Sequence, residues 1–589
     1  MCGIVGYIGK TKHALNVLID GLEHLEYRGY DSSGIAYILD DKIVIKKEVG
    51  HIQNLKKIID FRYESNLGIG HTRWATHGKA NIINSHPHKY KDITIVHNGI
   101  IENYLELKQS LLNKGYEFIS ETDTEVAAAL LYDLYKDSTD MLLAIKKFKK
   151  IVIGTYAILV ICDKDLESIY AIKKNSPLII GIGTDGYYLG SDILAFIKYT
   201  NKYVTMDDYE YAKVSNNNLV LYSPKNVERK YDIKTIDITN QLIDKGGYSH
   251  YMLKEINEEP IIINKNANIS NLINIKKYKK IVIVGCGSAM HAGLIGAYLF
   301  REYADIDTIV EIASEFRYKK LFLDKNTLVI AISQSGETAD TLEAIKIAKE
   351  YGSYTVGIVN VKDSTIARNV DKVIYTEAGV EIAVATTKAY LAQVNVLIQL
   401  VAKSLMNKKL ITEYYNDLKT IPFIIQKTID NNIQYQNIAK KIYKSKHIFF
   451  IGRGIDYAIS LEGSLKLKEI SYIHSEAYAA GELKHGTISL IEDGTPVVGI
   501  VTDAKIADKT ISNLKEVKAR GAYVIYITTN RLYKNGDFFD DKIVVDSVNV
   551  LLQSLVTIVP LQLLAYYVAN LNKCNIDKPR NLAKSVTVE

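Results

Sequence analysis

Cysteine is scarce in this chain, and the few cysteines stand far apart. The 589 residues contain only Cys2, Cys162, Cys286 and Cys574, and no two of them have the spacing of a metal-binding pair. This argues against a disulfide-stapled scaffold and favours a reducing, cytoplasmic setting. The sequence therefore predicts no metal site, and it implies no organic cofactor.

The chain also lacks a marked charge excess, a signal peptide and an apolar run long enough to cross a bilayer. It has 73 basic and 67 acidic residues, a net charge of +6, and no long basic run. Neither nucleic acid nor a membrane is therefore a predicted partner. The 47% hydrophobic and 24% charged fractions are those of a globular protein, and 589 residues predict about three domains.

Among the residues that are present, Cys2 is the most informative, because only the initiator methionine precedes it. The small Cys2 favours removal of Met1, which would leave a thiol and a free α-amino group on one residue. An α-amine has a reference pKa of about 7.7–8.0, close to working pH, so the thiol could attack while the amine takes its proton. A buried N-terminal cysteine without a function is the alternative interpretation.

Residues 2–240 combine short β-type runs with a few helical patterns. The β-type runs are residues 4–8, 34–39, 93–97, 155–161 and 177–182, and the helical patterns are 11–25 and 102–114. Strands grouped with a few helices predict an α+β domain of layered sheets and helices. A linker is predicted at 241–254, where Gly246 and Gly247 interrupt the pattern.

Beyond the linker, a strand, a glycine turn and a helix recur in two successive sets. The predicted strands are 280–285, 327–333 and 354–360, then 447–452, 496–502 and 522–528, with a helix at 387–407 between the sets. This alternation predicts two doubly wound α/β domains with parallel sheets, at 255–420 and 436–572, followed by a tail at 573–589. The turns Gly285-Cys-Gly287 and Gly452-Arg-Gly454 do not complete Gly-x-Gly-x-x-Gly, so no dinucleotide cofactor is predicted.

Four clusters of polar residues accompany Cys2 in the first domain, at 26–34, 70–78, 96–103 and 121–125. Attack on a carboxamide needs hydrogen-bond donors for the developing oxyanion, and the Asn98 amide beside the Gly99 N–H supplies two. A free amino-acid substrate needs charges opposite to its carboxylate and ammonium, which Arg73 and Asp123 offer. Taken singly, Asn98-Gly99 is typical of a hairpin turn and Asp123 of a helix N-cap.

A hydroxyl-rich loop in the second half is a candidate anion site. Ser333-Gln-Ser-Gly-Glu-Thr338 stands between the strand at 327–333 and a helical pattern at 338–349. Hydroxyls and backbone N–H groups at a helix N-terminus favour an anion, and phosphate is the natural ligand. An N-cap box, with serines chosen for local hydrogen bonds, is the alternative.

Three further features suit proton transfer or carbonyl chemistry. Glu462, Lys466 and Glu469 share one helix face, where Glu469 could move a proton between adjacent sugar carbons with Lys466 as its charge partner. A solvated salt-bridge stripe is the common meaning of that spacing. His485, in a glycine-flanked loop, could open a cyclic hemiacetal, although a lone histidine is more often structural. Lys584, in a tail with few apolar residues, could condense with a ketose carbonyl, although such tails are often disordered.

In this order the first-domain motifs resemble the N-terminal-nucleophile (Ntn) glutamine amidotransferases. With the second half, the chain resembles the family of isomerising glutamine–fructose-6-phosphate aminotransferases, whose sugar half consists of two sugar-isomerase (SIS) domains. The resemblance spans essentially the whole chain. It implies that Cys2 forms a γ-glutamyl thioester, that Asn98 and Gly99 form the oxyanion hole, and that Trp74 gates the passage of ammonia. It places the glutamine pocket at Arg73, Thr76, His77, Gly99 and Asp123.

In the sugar half, the resemblance implies a second set of roles. The sugar phosphate would be held by Ser333, Gln334, Ser335 and Thr338, with Val384, Thr387 and Lys466 beside the sugar. Glu469 would shuttle the proton, and Lys584 would engage the ketose carbonyl. The family is dimeric, and His485 would assist ring opening in the site of the partner subunit.

The implied reaction hydrolyses glutamine, carries ammonia through the protein and converts fructose 6-phosphate into glucosamine 6-phosphate. The chain departs from the family at Ala289, Ala383, Thr386 and Thr487, where Ser, Gly, Ser and Pro are common. These departures affect the rim of the site and its turns, and none removes an implied catalytic group.

Three other functions remain open at this stage. A different glutamine amidotransferase, such as one acting on a phosphoribosyl donor, would need an acidic pyrophosphate-binding motif that the sequence lacks. A non-enzymatic sugar-phosphate sensor would leave Glu469, His485 and Lys584 idle. A SIS deglycase working in the reverse direction would lack the glutaminase domain.

Overall fold

The computed structural model describes residues 2–26, 29–74, 78–236 and 244–587. The predicted site residues Thr76 and His77, and part of the predicted linker, lie outside these ranges. The described chain forms two compact units, one up to Asp244 together with the residues from Ser585, and the other Lys245–Lys584. The domain boundaries given above stay predictions.

The first unit contains fifteen strands and five helices among its described residues. The strands are β1 Gly3–Gly9, β2 Ser32–Leu39, β3 Lys42–Val49, β4 Leu67–Arg73, β5 His88–Tyr90, β6 Ile93–Ile101, β7 Gly154–Cys162, β8 Asp165–Lys174, β9 Ile179–Ile182, β10 Gly186–Gly190, β11 Lys202–Thr205, β12 Tyr211–Ser215, β13 Asn218–Tyr222, β14 Glu228–Arg229 and β15 Lys234–Thr235. The helices are α1 Ala14–Leu25, α2 Ile52–Lys57, α3 Tyr104–Asn113, α4 Asp123–Tyr135 and α5 Met141–Ile151.

Two sheets pack face to face in this unit, with helices outside them. Their strand orders are β15-β11-β9-β10-β1-β4-β2-β3 and β14-β13-β12-β8-β7-β6-β5. Strand β7 illustrates how one sheet contacts the other sheet on one face and helices on the opposite face. Its residues Ala157 and Leu159 face a core shared with β1, while Ile158 and Val160 face a core shared with α4 and α5. Side chains alternate between the two faces of a strand, so an apolar strand is buried on both sides. The predicted α+β fold of layered sheets and helices is confirmed.

The second unit alternates helices and strands. Its helices are α6 Tyr251–Lys265, α7 Ser288–Ala304, α8 Ala313–Phe316, α9 Ala339–Glu350, α10 Thr365–Asn369, α11 Lys388–Ala402, α12 Lys408–Leu418, α13 Ile421–Asp430, α14 Asn432–Ile442, α15 Ile455–Ser471, α16 Ala507–Lys518 and α17 Gln553–Leu571. Its strands are β16 Lys280–Gly285, β17 Asp307–Ile312, β18 Thr327–Ser333, β19 Tyr354–Val359, β20 Lys372–Tyr375, β21 His447–Gly452, β22 His474–Ala479, β23 Pro496–Val501, β24 Tyr523–Thr529 and β25 Asp541–Val545.

These strands form two five-stranded parallel sheets, ordered β17-β16-β18-β19-β20 and β22-β21-β23-β24-β25. Each sheet has the doubly wound order 2-1-3-4-5, which confirms the predicted pair of α/β domains. In such sheets a ligand binds where the strand order reverses, beyond the carboxyl ends of the first and third strands. In the first sheet these ends are Gly285 of β16 and Ser333 of β18, so the hydroxyl-rich loop starts at the switch point.

Helix α17 is the one described helix that is long and apolar enough to cross a membrane. No such stretch was expected from the sequence, where Gln553 and Gln562 interrupt the apolar run. However, 83% of its most apolar window is buried inside the protein. The helix packs against α13, α14 and α15. A helix that is apolar on every side belongs in a core, and this burial accounts for its composition.

Candidate active sites

Cys2 lies directly before β1, beside the end of the neighbouring strand β4. The β1–β4 pairing sets Gly3 opposite Thr72, which brings the thiol to Trp74. The Trp74 backbone N–H donates to the Cys2 Sγ at 3.2 Å. Burial raises the pKa of the Cys2 thiol, against the opposing effects of the Trp74 N–H and Arg73. The thiol is therefore protonated at neutral pH, and attack on a carbonyl needs a nearby base.

Asn98 and Gly99 lie within strand β6 and do not form the hairpin turn that is typical of this pair. Gly99 pairs with Tyr156 of β7 at a backbone φ of 128°, and a Cβ there would lie 2.0 Å from the Thr155 carbonyl oxygen. Only glycine tolerates both conditions. The Asn98 Nδ2 donates to the Cys2 carbonyl oxygen at 3.0 Å, so the amide and the thiol belong to one site.

Asp123 is the first residue of α4, but it does not cap that helix. The N-cap is Thr122, whose hydroxyl accepts from the Glu125 N–H. The buried Asp123 carboxylate instead accepts the backbone N–H of Ile101, at the end of β6, at 2.8 Å. Arg73, the last residue of β4, is 3% exposed. The predicted charges for an amino-acid ligand therefore come from two elements that flank the Asn98 strand.

The side chains of the loop after β18 form hydrogen bonds within the loop and do not cap α9. The Ser333 hydroxyl accepts from the Gly336 N–H at 3.0 Å and lies 2.9 Å from the Thr338 hydroxyl. Thr338 is the N-cap residue of α9, yet its side chain makes no capping hydrogen bond. The Glu337 carboxylate accepts from the Thr365 N–H instead, at the start of α10. The N-cap part of the alternative is therefore wrong, but the serines do make the local hydrogen bonds that it proposed, Ser333 with the Gly336 N–H and Ser335 with the Glu337 N–H.

Lys466 lies in a buried charge cluster on α15, so the solvated salt-bridge stripe is wrong as well. Its side chain is 1% exposed, with the Nζ 2.6 Å from Glu469 Oε2 and 3.5 Å from Glu462 Oε1. Burial alone would lower the pKa of Lys466, but the two carboxylates outweigh it and the pKa is raised. Glu462 accepts hydrogen bonds from Ser288 and His291 of α7, each at 2.8 Å.

The C-terminal tail brings Lys584 into a second buried ion pair. The Lys584 Nζ pairs with the Glu381 carboxylate and donates to the Ala383 carbonyl oxygen at 2.7 Å. The two side chains are 5% and 0% exposed. The Glu381 Oε1 also accepts the N–H groups of Thr387 and Ala389, at 3.0 and 3.1 Å. The tail around Lys584 is thus a docked segment of the second unit.

The family matches agree with this division of the chain. The family model of the glutamine amidotransferase domain matches residues 76–198, and that of the SIS domain matches 274–403 and 441–571. The glutamine–fructose-6-phosphate aminotransferase (isomerising) of Clostridium tetani is 45% identical over 611 aligned residues, which cover the whole of both chains. The chain belongs to this family. The enzyme of the same name from Pyrococcus horikoshii is 45% identical over 609 residues, again covering both chains.

A solved structure supports the sugar half separately. The C-terminal domain of glucosamine-fructose-6-phosphate aminotransferase from Francisella tularensis is 36% identical, with a TM-score of 0.54. The match covers 57% of this chain and 99% of that one. The C-terminal domain of a solved family member therefore shares the fold of more than half of this chain.

The remaining predicted residues of this aminotransferase lie in three different settings. The Val384 N–H donates to the Asp577 carbonyl oxygen at 2.9 Å, and Gln334 accepts from the Asn360 N–H through its backbone. The Thr387 hydroxyl is buried without a hydrogen-bond partner among the described residues. His485 lies on an exposed 3-10 turn, Glu482–His485. Within the described part of the chain, His485 makes no hydrogen bond or ion pair with another predicted site residue.

Two of the four departures from the family contact the buried Lys584–Glu381 ion pair. The Thr386 hydroxyl donates to Glu381 Oε2 at 2.8 Å, so the threonine retains the function of a serine hydroxyl. Ala383 accepts the Lys584 ammonium through its backbone, which a glycine could do equally. Ala289 lies in the first turn of α7, and the Thr487 hydroxyl donates to the Leu483 carbonyl oxygen.

Sequence reasoning missed Glu381, the buried counter-ion of Lys584. One signal was available: Glu381 is the only charged residue in the run Ala378–Ala385, which is otherwise apolar or glycine. An ionised carboxylate inside an apolar segment needs a partner, because burying an unpaired charge is costly. The identity of that partner was not available from sequence, since Lys584 lies 203 residues further along the chain.

Proposed function

We propose that this protein makes glucosamine 6-phosphate from glutamine and fructose 6-phosphate in the cytoplasm. One observation carries the proposal: a single chain holds a glutamine amidotransferase domain and two SIS domains, and aligns over its full length with aminotransferases of that name. The four free cysteines fit a reducing compartment. No step of the proposed chemistry needs a metal or an organic cofactor.

In the glutamine half, Cys2 is the nucleophile. After loss of Met1, its α-amine accepts the thiol proton, which the raised thiol pKa makes necessary. The sulfur adds to the glutamine carboxamide, and Asn98 and Gly99 donate to the oxyanion. Ammonia then leaves, and water hydrolyses the γ-glutamyl thioester. Arg73 and Asp123 hold the carboxylate and the ammonium of glutamine, with Thr76 and His77 completing the pocket by analogy with the family.

In the sugar half, the loop around Ser333 and the N-terminus of α9 hold the phosphate. Gln334, Ser335 and Thr338 complete that cradle. The Lys584 amine condenses with the ketose carbonyl, and ammonia replaces it at the same carbon. Glu469 then moves a proton between the two adjacent carbons, with the Lys466 ammonium 2.6 Å from its carboxylate as the charge partner. Val384 and Thr387 lie in the segment that carries Glu381 and contact the sugar.

Trp74 connects the two reactions. Its backbone N–H donates to the Cys2 sulfur, so a movement of Trp74 would change the contacts of the atom at which ammonia is released. Confinement has a chemical reason, because ammonia in neutral water is mostly protonated and is then no longer a nucleophile. Trp74 therefore gates the passage of ammonia in this proposal.

The direct test supplies glutamine labelled with 15N in its amide, together with fructose 6-phosphate. We expect glucosamine 6-phosphate that carries the label, detected by mass spectrometry, even with excess unlabelled ammonium in the buffer. Unlabelled glucosamine 6-phosphate, formed from the ammonium in the buffer, would contradict internal passage. If glutamine and fructose 6-phosphate both bind and no amino sugar forms, the alternative of a non-enzymatic sugar-phosphate sensor is favoured. Consumption of fructose 6-phosphate without amination would indicate an isomerase alone.

We further propose a homodimer in which His485 completes the site of the partner subunit, because this exposed side chain makes no described hydrogen bond or ion pair with Lys584 or Glu381 in its own chain. Two inactive variants, H485A and K584A, should then restore synthesis when they are mixed. Each heterodimer would keep one intact site, so a random mixture should reach about a quarter of wild-type activity. Each variant alone should keep full glutamine hydrolysis, which serves as the control. Absence of any recovery in verified heterodimers would place His485 in its own subunit's site or outside the chemistry.

A further inference from the structure

We infer that His71 is a positioning residue for the proposed oxyanion hole. Its ring Nε2–H holds the Asn98 side-chain amide so that the NH2 group faces Cys2. The inference rests on the proposed role of Asn98, and it adds a residue to which neither the sequence motifs nor the family resemblance gave a role.

The proton on His71 can be assigned from a backbone contact. His71 lies in β4, fully buried, and its Nε2 is 3.0 Å from the His97 carbonyl oxygen. A carbonyl oxygen only accepts, so the Nε2 must carry a hydrogen. The same Nε2 lies 3.1 Å from the Asn98 side-chain oxygen, Oδ1. A donor at this position requires that the oxygen of the amide, and not its NH2 group, faces His71.

A second backbone carbonyl determines the other end of the amide. The Asn98 Nδ2 lies 3.0 Å from the Cys2 carbonyl oxygen, which again can only accept. The rotated amide would place its NH2 group against the Nε2–H of His71 and its oxygen against the Cys2 oxygen. Both contacts would then be repulsive. The two carbonyls of His97 and Cys2 therefore select one orientation of Asn98, with His71 as the intermediary on one side.

The ring of His71 is well suited to hold a fixed donor. It stacks on the ring of His86, with centroids 4.0 Å apart and an angle of 10° between the planes. Its Nδ1 has no hydrogen-bond partner among the described residues. Burial lowers the pKa of His71 to about 3, so the ring stays neutral at working pH and keeps its single proton on Nε2.

The test compares H71L, which removes the donor, with H71Q, whose amide NH2 group reaches a similar position. We expect H71L to lower kcat for glutamine hydrolysis by on the order of 10²-fold, as loss of an oxyanion donor does, with KM changed less than about twofold. The H71Q variant should recover most of the loss. The ratio of H71L to wild-type kcat should stay constant between about pH 5 and 9, because neutral His71 does not titrate there.

A second measurement reports the oxyanion hole directly. The probe is a glutamine analogue with an aldehyde in place of the carboxamide. The Cys2 sulfur bonds to its carbonyl carbon, the C=O π bond breaks, and the thiol proton passes to the base while the oxygen becomes the oxyanion. H71L should weaken inhibition by this aldehyde about 10- to 100-fold, and H71Q should restore it. Inhibition by glutamate, which forms no such adduct, should not change.

The variant N98A separates this inference from the function on which it rests. If N98A leaves inhibition by the aldehyde unchanged, the proposed oxyanion role of Asn98 is wrong. If N98A weakens inhibition and H71L does not, only the role of His71 is overturned. A loss of glutamate affinity equal to the loss of aldehyde affinity would also overturn it, because it would indicate general damage to the pocket. H71M repeats the comparison if thermal unfolding shows that H71L is not folded.

Discussion

Replacing Cys2 with alanine should abolish synthesis from glutamine, with a fall in glutamine hydrolysis of about 10⁴-fold or more, as expected when a covalent nucleophile is lost. The thiol accepts the Trp74 N–H, and alanine offers neither an attacking atom nor an acceptor in its place. The rate of glutamate release, measured with a coupled dehydrogenase, checks this prediction. Binding of fructose 6-phosphate should remain at the wild-type level.

A matched control is the variant C574A, which removes a thiol that is partly exposed in the second unit. It should hydrolyse glutamine at the wild-type rate. A chain that retains Met1, identified by its intact mass, should be as inactive as C2A, because its α-amine is no longer on Cys2. Glutamine hydrolysis at full rate by the C2A protein, or by the Met1-retaining chain, would contradict the proposed nucleophile and base.

Replacing Lys584 with alanine should lower the rate of amination of fructose 6-phosphate about 10³-fold or more and leave the rate of glutamine hydrolysis unchanged. The amine is buried and held by Glu381 and the Ala383 carbonyl oxygen. A lysine on the protein surface cannot replace it, because it does not reach this buried position. Borohydride in the presence of fructose 6-phosphate should attach a sugar phosphate to the wild-type chain, with the adduct mapped to Lys584 by mass spectrometry. K584A should acquire no such adduct. An adduct on another lysine would show that Lys584 is not the residue that condenses with the ketose carbonyl.

The variant E381Q examines the counter-ion at the same site. It keeps the size of the side chain but leaves the Lys584 ammonium without its buried carboxylate. Breaking a buried ion pair from one side costs about 3–5 kcal/mol, which would oppose docking of the tail. We therefore expect faster proteolysis within residues 573–589 together with weaker borohydride trapping. Trapping at the wild-type level with an intact tail would show that Glu381 is dispensable.

The elements that sequence predicted best are the buried parallel strands. The ranges 280–285, 327–333 and 447–452 coincide with β16, β18 and β21. The sequence of a strand that is covered on both faces is a short apolar run bounded by turn residues. Few other structures produce such a run. The prediction for 93–97 was too short, because β6 continues through Asn98 and Gly99 to Ile101. A glycine at φ 128° inside a strand has no distinctive signal in the sequence.

The site residues show the same contrast. Glu462, Lys466 and Glu469 could be placed on one helix face by spacing alone, yet spacing favoured a solvated stripe. Burial reversed that interpretation, because Lys466 is 1% exposed. Whether a charged helix face meets water or a second helix depends on distant parts of the chain, here Ser288 and His291 of α7.

By itself, the sequence determined an α+β domain followed by two α/β domains, because local periodicity is a property of neighbouring residues, and its motifs in order resembled an Ntn glutaminase joined to two SIS domains. Only the tertiary structure decided which side chains meet. The Cys2 sulfur contacts a backbone 72 residues away, Asn98 reaches Cys2 across 96 residues, and Lys584 finds Glu381 across 203. These contacts depend on strand register and on the burial of charge, which the packing of the whole unit sets and no local pattern encodes.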